Sequence, residues 1–124
     1  GRMAANLAAS IRFADKDIPI HLVYSEGAIK HLTNEHRGLF TTFEECPVEY
    51  YTQGYKVAYL KAKTRLYDLT PYDTTLFLDV DMVWFGRKSV SELIESLSGV
   101  DFTIQNRGFT DLTNDYMDIK TSMW

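Results

Sequence analysis

Cysteine is nearly absent from this chain. Cys46 is the only one, so no intrachain disulfide can form, and a small fold stapled by bridges is excluded. Such usage suits a reducing compartment, and a cytoplasmic protein is the expectation. Apolar runs are short: none approaches the ~20 residues a membrane-spanning helix needs. The opening Gly1-Arg2-Met3-Ala4-Ala5 lacks the apolar core and small-residue cleavage site of a secretory signal. There is no long basic stretch, and the formal net charge is -4. Nucleic acid is therefore not expected as the main partner. An anionic small ligand is still compatible, because local lysines can outweigh a small global charge. Internal repeats and low-complexity segments are missing as well.

What is present reads as one domain over residues 1–124. Apolar residues make up 45% and charged residues 24%, the balance of a soluble globular chain. Met3, Leu7 and Ile11, with Ala4 and Ala8 beside them, recur at helical spacing and predict a helix over Met3–Phe13. Asp15-Lys16-Asp17 breaks it. "IPIHLVYS", Ile18–Ser25, reads as a strand, with Pro19 tolerable near its start. A short helix is expected within Gly27–His36. Thr41–Cys46 reads as polar and irregular, ended by Pro47, and "VEYYT" after it as a short strand. Tyr55–Leu69 has the pattern of the longest helix. Val57, Leu60, Thr64 and Tyr67 share one face, Lys61 and Arg65 lie on another, and Pro71 follows the end. Thr74–Val80 reads as a strand. Ser89-Val90-Ser91-Glu92 is a capping-box pattern opening a helix through Leu97, with Gly99 as its stop. Val100–Gln105 is a further strand, and Gly108–Trp124 a polar tail.

The alternation of helices and strands predicts an α/β fold with a mostly parallel sheet and helices on both faces. Such folds usually open on a strand, whereas this chain opens on a helix and closes on a polar tail. The expectation is a partial domain, its sheet completed by further chain or by another subunit.

The most informative stretch is "TTLFLDVDMVW", Thr74–Trp84. An apolar run leads straight into Asp79-Val80-Asp81. In a strand, residues i and i+2 project to the same side, so Asp79 and Asp81 would emerge together at the strand's carboxyl end. Ligands bind at that edge of open parallel sheets. Two adjacent carboxylates repel unless a cation lies between them. A hard divalent ion would answer this, completing its shell with water and phosphate oxygens. An Asp-x-Asp pair also occurs as a simple strand cap or turn opener.

"KTRLYDLTPYDTTLFLDVDMVW", Lys63–Trp84, resembles the nucleotide-sugar-dependent glycosyltransferases of the GT-A fold. The likeness is greatest to the retaining group that includes glycogenin and the bacterial galactosyltransferases. In that group a helix lysine, an aromatic-rich turn and an apolar strand ending in Asp-x-Asp follow one another at the spacing seen here. "RMAANLAASIR" is similar to the family's first helix, and "IPIHLVYS" to its second strand. The resemblance implies a Rossmann-like donor-binding sheet lacking its first strand and its acceptor half. It implies that Asp79 and Asp81 hold manganese or magnesium, which binds the diphosphate of a nucleotide sugar, expected to be a UDP-sugar. Lys63 and Asp79 would contact the donor, and Asn106, in the loop after the Val100–Gln105 strand, would stand near its sugar. Arg107 lies beside Asn106, and Lys61 is the weaker lysine candidate. His21 reads as a strand residue, and His31 and His36 as surface residues. None of the three replaces the family's late metal-binding histidine. The sugar acceptor is not specified.

Two other readings fit the carboxylate pair. One is a phosphatase of the haloacid dehalogenase type, with Asp79 as nucleophile and Asp81 as acid/base. Its motif usually opens the domain and continues with small residues, unlike Met82-Val83-Trp84. The other is a non-catalytic metal- or nucleotide-binding or interaction module, for which Tyr50, Tyr51 and Tyr55 could supply a partner surface.

Overall fold

The computed structural model describes residues 1–85, 88–101, 103–107 and 119–123. The first helix, α1, spans Arg2–Ala14. It buries Ala4, Ala5, Leu7, Ala8 and Ile11, the stripe expected from the spacing, while Met3 turns outward at 58% exposure. Its last turn is pinned by Arg12, whose guanidinium donates to the carbonyls of Leu39 and Lys16 at 3.1 and 2.9 Å.

After Asp15 the chain reverses into β1, His21–Tyr24. Small cavity-lining groups show how α1 and β1 run. Leu7 and Ile11 of α1 pack near Ile18 and Ile20. Ala4 and Ala5 meet Leu22, so helix and strand are antiparallel. The expected helix in Gly27–His36 is two pieces. A 3-10 turn covers Ala28–His31, and α2 covers Asn34–Arg37, capped by Thr33, whose hydroxyl accepts from the His36 N–H.

Thr42–Glu45 forms β2, which corrects the reading of Thr41–Cys46 as irregular. It pairs with β1 in parallel, His21 opposite Thr42 through Tyr24 opposite Glu45. Its side chains are mostly exposed, because the pairing rests on backbone groups and only one face meets the core. "VEYYT" is also corrected: Val48–Tyr50 is a 3-10 turn. It is followed by a tight hairpin of β3, Thr52–Gln53, and β4, Lys56–Val57, which pair antiparallel. Gly54 holds its turn at φ 60°, a conformation that favours glycine.

The long helix expected over Tyr55–Leu69 is broken. β4 claims its start, α3 covers only Tyr59–Ala62, and Lys63–Leu69 continues as 3-10 turns with Arg65 off helical geometry at φ -117°. Thr64 Oγ1 donates to the Lys61 carbonyl at 2.7 Å, a local bond of the kind that bends helices. The face read as apolar does not reach the core: Val57, Leu60 and Tyr67 are exposed, and Leu69 is the buried residue.

Thr75–Asp79 has no regular secondary structure and belongs to no sheet among the described residues, so the strand expected over Thr74–Val80 is corrected as well. A strand is defined by a ladder, and this segment pairs with no strand among the described residues. It nonetheless runs in the same sense as β1. Leu76 and Leu78 pack on Leu7, Ile11 and Val90 beside Ile18 and Ile20. Val80 lines a second small cleft with Gly1 and Leu22–Ser25. The helix α4, Val90–Ser96, opens on the expected capping box. Ser89 N–H donates to Glu92 Oε2 at 2.7 Å, and Glu92 N–H to Ser89 Oγ at 3.1 Å. Gly99 follows it at φ 91°. β5, Thr103–Arg107, pairs antiparallel with β6, Ile119–Met123. Phe102, residues 108–118 and Trp124, which fall on the expected last strand and tail, lie outside the described residues.

The architecture is mixed helix and strand with one small parallel pair. Three apolar clusters form the core. One lies under the start of α1, one joins the end of α1 to α4 and Leu76–Leu78, and one gathers Cys46, Tyr51 and Leu69. No helix among the described residues is long and apolar enough to cross a membrane.

Candidate functional site

Among the described residues, β1 pairs along only one of its edges. Ile20 O accepts from Thr42 N–H, and Tyr24 O from Cys46 N–H, so the even-numbered residues face β2. In a strand, the backbone groups of His21 and Val23 then face the opposite edge. That edge borders an apolar cleft of about 730 Å³, whose other wall is Thr75–Val80 and whose floor is α1. Lys63, Tyr72 and Asp79 also line it. A large apolar cleft with a few convergent polar groups is the usual form of a ligand site.

At the cleft, Lys63 and Asp79 meet. They are 16 residues apart in sequence. Lys63 Nζ lies 2.7 Å from Asp79 Oδ1 and donates to Oδ2 at 2.9 Å, so both carboxylate oxygens are engaged. The two side chains are 44% and 49% exposed, and a pair so open to water contributes at most about 1 kcal/mol. The backbone places them simply. Lys63 follows directly on α3, and Asp79 ends the Thr75–Asp79 segment.

Lys61, the weaker candidate, is committed elsewhere. Its Nζ donates to the carbonyls of Glu49 and Thr52 at 3.0 and 2.8 Å and so pins α3 to the hairpin. Asp79-Val80-Asp81 lies in a turn rather than at a strand end: Met82 N–H donates to Asp79 O at 3.2 Å. The same-side argument for Asp79 and Asp81 therefore loses its strand basis. Asp81 is exposed and makes no ion pair or side-chain hydrogen bond among the described residues. Asn106 stands inside β5, opposite Lys120, instead of in a loop after it.

The carboxylates of Asp79 and Asp81 are exposed, and carboxylate oxygens are the donor type that magnesium and manganese take. Among the described residues no group of three or more His, Cys, Asp or Glu side chains is arranged to hold a metal.

One network in the cleft was not read from the sequence. His21 Nε2 lies 2.9 Å from the Leu69 carbonyl, and Nδ1 lies 2.8 Å from Thr42 Oγ1. A carbonyl only accepts, so Nε2 carries the proton; in the neutral ring Nδ1 accepts from Thr42. Thr42 Oγ1 then receives the Tyr72 hydroxyl at 3.2 Å. Thr70 Oγ1 accepts from Tyr72 N–H at 3.3 Å and lies 2.6 Å from Thr75 Oγ1. These hydroxyls close the "TPYDTT" turn, as Ser and Thr commonly do. They fix where Thr75–Asp79 starts. The clue in the sequence was the density of threonines around Pro71.

The tyrosines proposed as a partner surface divide. Tyr51 is buried and stacks on Tyr59 at 5.5 Å. Tyr50 lies under the Arg65 guanidinium, and Tyr55 is fully exposed. His36 is half-buried rather than on the surface, and His31 is exposed.

No family model matches the chain, and no curated protein and no solved structure matches it.

Proposed function

We propose that this chain is the donor-binding part of a metal-dependent glycosyltransferase with a Rossmann-like GT-A sheet. It would take a nucleotide sugar, expected to be a UDP-sugar. The observation that carries the reading is the meeting of Lys63 and Asp79 at the rim of the apolar cleft, because these are the residues on which the resemblance rests. Three further features support it. Thr75–Asp79 runs in the same sense as β1 and delivers Asp79-Val80-Asp81 beside the strand's carboxyl end, the edge at which α/β sheets bind ligands. The free edge of β1 faces that segment across the cleft. A strand placed there, such as the first strand of the GT-A sheet, would pair with both walls and bury the apolar floor.

In this reading Asp79 and Asp81 hold the cation, and Lys63 contacts the diphosphate. The ion, when bound, supplies Lewis-acid stabilisation of the leaving diphosphate. The residues of the chain bind and orient the donor. The acceptor would be held by parts not identified in this sequence.

Thermal denaturation with UDP and manganese chloride tests the proposal. The melting temperature should rise only when both are present. At a hundredfold excess over Kd the stabilisation is about 2.7 kcal/mol. Asp79→Asn should abolish the rise, and an unchanged rise in that variant would remove Asp79 from the site. A rise with magnesium and beryllium fluoride, and none with UDP, would point to the phosphatase instead. The second reading, a module that binds without transferring, is favoured by one observation: Lys63 gives Asp79 a partner within the protein. Binding of UDP and manganese without hydrolysis of any UDP-sugar would support that module.

A further inference from the structure

β1 is covered on both faces. Leu22 packs on Ala4 and Ala5 of α1. Val23, whose side chain points the opposite way, packs against Cys46, Tyr51 and Leu69. Both layers continue past the outer edge of β1. Leu7 and Ile11 reach across to Leu76 and Leu78, while Ala62, which packs on the second layer, lines the cleft with Leu66. The cleft is therefore a slot with two apolar layers, open between β1 and Thr75–Asp79. One side of it is the backbone row of His21 and Val23, left over when the even-numbered residues pair with β2. On the other side Leu76–Leu78 enters no ladder among the described residues. A small apolar molecule could occupy such a slot but would leave the backbone row unpaired. Another backbone in the extended conformation satisfies the row and both layers at once. A strand covered on both faces reads as a continuous apolar run.

We propose that the slot is a strand acceptor. It takes one uncharged, apolar peptide segment of about five residues, about 17 Å long when extended, supplied from outside residues 1–124. The segment pairs with the free edge of β1, continuing the β1–β2 sheet, and fills the gap up to Leu76–Leu78. The chain's own segments do not have this chemistry to spare. The apolar runs Ile18–Tyr24 and Leu76–Leu78 already form the walls, so a second copy could lend either one only by opening its own slot. Thr103–Arg107 is paired with β6. The stretch 108–118 carries Asp111, Asp115 and Asp118, charges that burial on both faces would penalise. With a strand in place, a small ligand is confined to the rim, where Lys63 and Asp79 are half exposed. The strand acceptor stands on packing and backbone pairing alone, whether or not the chain binds a nucleotide sugar.

The test is amide hydrogen exchange of the whole chain, read by NMR, with a synthetic peptide added. Its core is Val-Ile-Val-Ile-Val, kept soluble by lysines at both ends. A control peptide carries the same side chains but is N-methylated at every core residue, so it cannot donate to a ladder. The first peptide should slow exchange at His21 and Val23 by about tenfold or more and raise the melting temperature; the control should do neither. Leu66→Asp puts a charge in the slot at a residue outside the three buried clusters. It should abolish both effects while circular dichroism shows the fold retained. Equal effects from the two peptides would overturn the strand acceptor in favour of a pocket for small apolar molecules. Unchanged exchange at His21 and Val23 with the first peptide would overturn it outright. Protection that grows with chain concentration and that the peptide cannot compete away would assign the slot to a second copy instead. None of these results touches the response to UDP and manganese, so the proposed function stands or falls separately.

Discussion

Asp15 shows how much one side chain can link. It ends α1, and through Oδ2 it accepts both the N–H and the hydroxyl of Ser91 on α4. The hydroxyl of Ser91 is the main cause holding the Asp15 carboxyl below its usual 3.8. A carboxyl whose pKa falls on folding adds stability above its unfolded value, and that share is lost as pH drops through the lower folded value. The unmodified chain should therefore lose its advantage over Asp15→Asn below about pH 4, and keep it near pH 7. Urea denaturation of both chains at the two pH values checks this. Cys46 goes the other way. Burial, with Glu49 and Glu44 nearby, raises its thiol pKa, which keeps the one cysteine protonated and unreactive. At this scale the sequence was readable where chemistry is concentrated. Asp79 could be picked out because an ionisable group beside an apolar run is costly without a partner, and Lys63 only through the family resemblance. Each turned out to be the other's partner. Asp15 could not be picked out, because an Asp after a helix looks like any surface break until α4 is brought beside it.

Among the elements, α4 is the one most fully specified by local residues. Ser89 and Glu92 satisfy each other's backbone N–H groups, so Ser89→Ala should cost about 1 kcal/mol of stability. The cost can be measured as a lowered urea midpoint with an unchanged slope. α1 was legible for a similar reason, since its apolar stripe meets the core directly. β2 was not. Thr42-Phe43-Glu44-Glu45 has no alternation to read, because the strand pairs through its backbone and leaves most side chains in water. The pattern over Tyr55–Leu69 misled in the opposite direction. Its spacing is helical, but Gly54 closes a hairpin whose second strand uses Lys56–Val57, and Arg65 leaves the helix further on. Local turn chemistry outweighed a periodicity that had no core to face.

For the molecule as a whole, the consequence of pairing β1 on one side only, among the described residues, is a thin core. Among the described residues no large side chain is fully buried, and Phe13, Tyr67 and Phe85 stand more than nine-tenths exposed at 92%, 91% and 96%. The expected α/β class is visible as α1, β1 and the parallel β2. The mostly parallel sheet is not, because a ladder needs a neighbour that the sequence of one segment does not reveal.

The backbone donors and acceptors of His21 and Val23, set beside apolar walls, form a row that any stray extended chain could match. An isolated preparation of these residues should therefore associate with itself as its concentration rises. Light scattering would show a mass that grows with concentration. The same geometry that leaves room for a ligand would then also govern how sticky the chain is in solution.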